Sequence, residues 1–180
     1  MKQLILATTT MLALTAVGGD VLAQGVLDQN TRGSAVALHL GGGYGSYLGA
    51  GQGDIELQLH FGRSYAGPGI AVGLSLPIAN GLGIGVEGRF VYDIQLIPGK
   101  AFFITPYVGA IVGFWNWHDG RGSSAGYLWL GPQFGLDLNF VLFDRLLLGV
   151  RPIGVTIPVF FGGPGVHWSY HSALTIGITF

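Results

Sequence analysis

The chain has no cysteine. Disulfides therefore cannot brace it, and a lipidated N-terminal cysteine cannot tether it. Charge is scarce as well. Lys, Arg, Asp and Glu make up 9% of the 180 residues, and the formal net charge is −1. A soluble domain carries roughly 25% charged residues, so this chain has too few to coat an ordinary water-exposed surface. No basic run or stripe occurs, which argues against nucleic acid as a partner. Also missing are the apolar blocks of about 20 residues that a membrane helix needs. The two nearest candidates fail on composition. Residues 101–117 contain Pro106, Gly109, Gly113 and many β-branched and aromatic residues, and residues 146–163 carry Arg151, Pro152 and Pro158.

What is present is apolar and glycine-rich. Hydrophobic residues reach 49% and glycine 33 positions, with a mean hydropathy of +0.53. The apolar residues are interleaved with Gly, Ser, Gln and Glu instead of forming blocks, and that decides the class. At the start, Lys2 precedes an apolar stretch from Leu4 to Val17 that only threonines interrupt. Gly18 and Gly19 end it, and Val21-Leu22-Ala23 offers a cleavage site before Gln24. This is the layout of a secretory signal peptide. We expect residues 1–23 to be removed, residues 24–33 to form a short polar segment, and residues 34–180 to form one domain.

That domain alternates with a period of two, the two-faced pattern of β-strands. Ile55, Leu57, Leu59 and Phe61 alternate with Asp54, Glu56, Gln58 and His60, and Ile70, Val72, Leu74 and Leu76 with Ala71, Gly73 and Ser75. The same rhythm runs through 82–94, 128–140 and 173–180. Segments 34–43, 102–116 and 145–157 have the right length with less regular alternation. The total is eight, each near the 9–11 tilted residues that cross a bilayer. Connections at 63–69, 97–101 and 141–144 are short. Those at 44–53, 117–125 and 158–167 are longer, and Asn80-Gly81 marks a tight hairpin. The expectation is an all-β, closed antiparallel up-and-down transmembrane β-barrel of eight strands.

The composition of the two faces sets the direction. One is Leu, Ile, Val and Phe; the other is Gly, Ala, Ser, Thr and Gln with scattered charges, too small and too weakly charged for a hydrated exterior. It suits the lumen of a narrow barrel, with the greasy face against lipid, where only closed strand pairing satisfies every backbone group. Aromatic residues gather at segment ends, as interfacial belts require. They include Phe102, Phe103, Phe140 and Phe143 at one end and Phe114, Trp115, Tyr127, Phe160, Phe161 and Trp168 at the other.

The last strand is the most specific feature. The chain ends in Phe180, preceded at alternate positions by Ile178, Ile176 and Leu174, with Tyr170 further back. This resembles the terminal strand of bacterial outer-membrane barrels, and the whole mature chain resembles the small eight-stranded barrels of the OmpA-domain, OmpX and opacity-protein type. The resemblance implies location in the outer membrane of a Gram-negative cell, termini on the periplasmic side, insertion by the barrel assembly machinery, and lipopolysaccharide as a neighbour. A monomer is expected.

Several groups carry functional expectations. Glu56, Glu87, Arg89, Asp93, Asp137 and Arg151 fall on the lumen face, where unpaired charge is costly. We expect a paired network that fills the barrel, with His39, His60 and His171 as further members. This favours a plugged structural or surface-interaction barrel over a narrow porin-like channel for small solutes. Trp115, Trp117, His118, Asp119 and Arg121 form the loop richest in recognition-type residues. His167, Ser169 and His171 are compatible with a lipid A-modifying enzyme, but no acidic residue follows Asp144 to orient a histidine, so an enzyme is not expected. Gly83-Ile84-Gly85-Val86-Glu87-Gly88 spells a dinucleotide fingerprint, yet it sits inside an alternating strand without the helix that motif needs. Nothing in the sequence calls for a cofactor or a metal.

Overall fold

A computed structural model describes residues 34–45, 51–60, 67–78, 81–96, 101–118, 124–143, 145–163 and 165–180. The expected signal peptide and the polar segment at 24–33 lie outside the described residues. Within them the chain forms nine strand segments: β1 (Ala35–Gly45), β2 (Gly51–His60), β3 (Gly67–Ile78), β4 (Gly81–Gln95), β5 (Phe102–His118), β6 (Ser124–Leu142), β7 (Leu146–Thr156), β8 (Val159–Phe161) and β9 (Ser169–Thr179). From β1 to β7 each pairs antiparallel with the next in sequence, and β7 pairs antiparallel with β9. The β1–β9 ladder, from Ala35↔Thr179 to Gly45↔Ser169, closes the ring. β7 and β8 both lie along β6 and act as one interrupted stave. The result is a closed, eight-stave, up-and-down barrel.

The alternation of burial follows the alternation of sequence. In β4, Gly83, Gly85, Glu87, Arg89, Val91 and Asp93 are buried while Leu82, Ile84, Val86, Phe90, Tyr92 and Ile94 are exposed. The barrel is thus inside out relative to a soluble one. Its outward surface includes Leu174, 68% exposed, while Arg151 is 1% exposed within. The end that carries Ser34 and Phe180 is tied by backbone hydrogen bonds from Phe180 N to Ser34 O and from Thr179 N to Arg145 O, both 2.8 Å.

Three details depart from the sequence reading. β7 carries a register shift between Arg151 and Gly154 against β9, and β6 one between Leu136 and Leu138 against β7. Leu147 and Arg151 face inward before this bulge, and Gly154, Thr156 and Phe160 after it. An extra residue reverses the parity of a strand, so the segment at 145–157 has no single alternation to read. The connection at 158–167 also contains β8, held against β6 by the pairing Trp129↔Phe160. Finally, not every aromatic joins a belt. Phe102 stacks on Phe140 at 4.1 Å between ring centroids, and Phe114, Phe140, Phe143, Phe161 and Trp168 are exposed. Phe103, Trp115 and Phe160 instead turn inward and are buried, because they share parity with the lumen residues of their strands.

Candidate functional site in the barrel interior

The lumen is layered along its axis. Nearest Ser34 and Phe180, the residues Ala35, Ala37, Phe103, Val141 and Leu147 form an apolar floor. Towards the opposite end, Ile111, Trp115, Trp129 and Phe160 form an aromatic layer, with Tyr127 packed against it. Between them lie the charges.

Two buried ion-pair groups dominate the middle. Arg89 from β4 pairs with Glu56 from β2, and its Nη2 lies 3.4 Å from Glu87 Oε1. Gln58 Nε2 donates to Glu56 Oε1 at 2.5 Å, and Gln133 Nε2 donates to Glu87 Oε2 at 3.1 Å. His39 adds its Nε2 3.6 Å from Glu56 Oε1, while its Nδ1 and Thr175 Oγ1 are 2.9 Å apart. The second group centres on Arg151 of β7. Its Nε and Nη2 donate to the two oxygens of Asp137 at 2.7 and 3.1 Å, a forked charge-assisted pair. Nη1 lies 3.6 Å from Asp54 Oδ2, and the Asp54 carboxylate accepts from Gln52 Nε2 at 3.0 and 3.1 Å. Tyr107 links the groups. Its ring lies between the two guanidiniums, 4.5 Å from Arg89 Cζ and 4.8 Å from Arg151 Cζ, each within cation–π range.

A third cluster sits nearer the floor. Asp93 accepts from Thr105 Oγ1 at 2.6 Å and lies 3.0 Å from His60 Nδ1, and Asn139 Nδ2 donates to Thr105 Oγ1 at 3.1 Å. All six lumen residues named from the sequence therefore point inward. Five occupy the two central groups, and Asp93 belongs to this third one. Asp54 and Tyr107 were missed. Asp54 shares parity with Glu56 two residues away, which was sufficient signal. Tyr107 is a large residue on a face otherwise read as small, so size misleads there and only parity identifies it.

The other named residues separate. In the recognition loop, Trp115 is fully buried in the aromatic layer and does not belong to a surface. The side chains of Trp117 and His118, and residues Asp119 and Arg121, lie outside the described residues. Ser169 and His171 face the lumen, and neither ring nitrogen of His171 has a hydrogen-bond partner. His167 meets Phe160 edge-on at 5.8 Å. In the C-terminal signal, Tyr170, Leu174 and Ile178 are exposed on the outer face of β9. Ile176 shares their parity, and Phe180 follows the strand. Tyr170 also donates its hydroxyl hydrogen to Pro152 O at 2.5 Å, across the β7 bulge. The fingerprint glycines lie in extended β4, where Gly83 backs Trp115 and Gly85 backs Ile111.

A closed, eight-stave, antiparallel up-and-down ring is the fold of the small outer-membrane barrels. Solved structures share it. The N-terminal β-barrel domain of Pseudomonas aeruginosa OprF superposes with a TM-score of 0.54 at 11% identity, covering 84% of this chain and 99% of that one. Neisserial surface protein A superposes with a TM-score of 0.62, also at 11% identity, covering 82% of this chain and 97% of that one. No family model and no curated protein sequence matches the chain.

Proposed function

We propose that this protein is an integral barrel of the bacterial outer membrane, exported by the signal peptide at 1–23, with a filled interior and a structural or surface-interaction role. One observation carries the reading. Large apolar side chains are exposed along the outer faces of seven of the eight staves, with the outward Val36, Leu38 and Leu40 of β1 half-buried, while the ionised groups of those staves are enclosed. Water would penalise that exterior by roughly 25 cal/mol for each Å² of apolar surface, whereas hydrocarbon accepts it. The outward row of Tyr170, Leu174, Ile176 and Ile178, with Phe180 at its end, suits recognition by the barrel assembly machinery, and lipopolysaccharide is the expected neighbour. The likeness to the OprF barrel domain and Neisserial surface protein A supports the fold on which this reading stands.

Filling is favoured over conduction because apolar layers lie above and below the charged one, and an eight-stranded interior is just wide enough for side chains to fill. A role in lipid modification is disfavoured because Ser169 and His171 point away from the outer surface, where acyl chains would lie. Fractionation of expressing cells, with gel mobility measured with and without boiling, tests the location. We expect outer-membrane recovery and a heat-modifiable band. A mature protein that is monomeric and soluble without detergent overturns the proposal. Planar-bilayer recording tests the filling, and large steady open currents would refute it.

A further inference from the structure

One row of cross-strand partners in the lumen spans five staves and holds only two side chains. It runs from Tyr107 of β5 to Gly135 of β6, on to Gly154 of β7, then to His171 of β9 and Gly43 of β1. The two side chains lean towards each other over the glycines between them. A Cβ at Gly135 would lie 2.5 Å from Tyr107 Oη, and one at Gly154 would collide with His171 Nε2. Tyr107 is 5% exposed and His171 3%. Neither Tyr107 Oη nor either ring nitrogen of His171 has a hydrogen-bond partner among the atoms of the protein.

A buried polar atom without a partner forfeits the hydrogen bond it made to water in the unfolded chain. Room for two rings explains the glycines, but not why two orphaned polar ends converge on neighbouring ones. Paired residues of adjacent strands have Cα atoms about 4.5–5.5 Å apart, and each polar end lies against one of the two glycines. That spacing is too long for a direct hydrogen bond of about 2.7–3.2 Å, and it suits two bonds in series through one small molecule. We propose that Gly135 and Gly154 cradle a water site in the lumen, in which one water molecule bridges Tyr107 Oη and His171 Nε2. A hydroxyl and an imidazole nitrogen offer donor and acceptor in either order, and water can match both. The bridge joins β9 to both ion-pair groups, because the Tyr107 ring already lies between their guanidiniums. The inference rests on the closed-barrel reading, which heat-modifiable mobility tests separately.

The test is a crystal structure of the mature protein in detergent, at a resolution that shows ordered water. A water within about 3.2 Å of both Tyr107 Oη and His171 Nε2 is expected. A closed barrel in which those two atoms bond directly, or in which an ion or another side chain stands between them, overturns the proposal and leaves the fold intact. Urea unfolding from phosphatidylcholine vesicles gives an independent reading. Tyr107→Phe keeps the ring between the guanidiniums and removes only the hydroxyl. It should lower the folding equilibrium constant about fivefold, the effect of one hydrogen bond. In a His171→Leu background, where the bridge has lost its other end, the same change should be neutral or favourable. An equal loss in both backgrounds would mean that the hydroxyl acts without His171, and the bridge would be refuted.

Discussion

In the middle of the lumen Arg151 grips Asp137 through two hydrogen bonds. At the floor Leu147 lies among Ala35, Ala37, Phe103 and Val141. Both side chains are buried, at 1% and 0% exposure, yet the physics differs. The floor gains from each apolar atom removed from water or lipid contact, and its packing degrades in proportion to what is cut away. The middle gains little from burial itself, because desolvation offsets the Coulombic attraction. What it has instead is mutual dependence. Arg151 answers to Asp137, Asp54 and the Tyr107 ring at once, so removing one member strands the others.

The largest expected effect therefore comes from breaking the middle. Arg151→Ala should destabilise the folded barrel by about 4 kcal/mol, since Asp137 and Asp54 lose their counter-charge inside a closed space. Replacing both partners, Arg151→Met with Asp137→Leu, should recover at least half of that loss, as exchange of a whole buried pair for apolar residues often does. Urea unfolding from vesicles measures both. If the single and double variants were equally unstable, the loss would come from Arg151 packing, and the contrast with the floor would disappear.

These two regions were not equally legible in the sequence. Alternation and hairpin spacing are local signals, so the regular staves β2, β3, β4 and β6 could be read with their facing, and with them Glu56, Glu87, Arg89, Asp93 and Asp137 as inward. Partner choice is not local. Nothing in the order of residues states that Arg89 meets Glu56 while Arg151 meets Asp137, because that depends on how the staves are staggered around the ring. β7 resisted for a different reason. The bulge near Pro152 exchanges its faces, so Arg151 and Gly154 both point inward from positions of opposite parity. The inward aromatics resisted through an assumption of size. Trp115 and Phe160 occupy a face expected to hold small residues, and Trp115 fits because Gly83 on the neighbouring stave leaves room.

The floor gives the second test. Leu147→Ala should cost about 3 kcal/mol, the range for deleting a fully buried leucine side chain. A second change in the same cluster, Phe103→Leu, should not restore it, since a smaller ring position enlarges the same void. Partial rescue by a compensating pair is expected in the charged layer alone. Equilibrium unfolding of the single and double floor variants reads this directly, and rescue at the floor would make the two layers alike.

The smallest effect belongs to the aromatic layer, and it can be measured against a control on the same strand. A Cβ added at Gly83 would lie 2.7 Å from Trp115 Cε3 and 2.9 Å from Pro77 Cγ, whereas one added at Gly88 meets nothing within 4 Å. Both glycines are in β4, on opposite faces. Gly83→Val should cost about 2 kcal/mol, because Trp115 is fully enclosed and must leave its rotamer to make room. Gly88→Val should be neutral or stabilising by up to about 1 kcal/mol, since valine suits an extended backbone and an apolar outer surface. The readout is the shift in urea midpoint of each variant in vesicles. Equal shifts would mean that the two faces of β4 are not inside and outside, and the enclosure of Glu87 and Arg89 between them would fall as well.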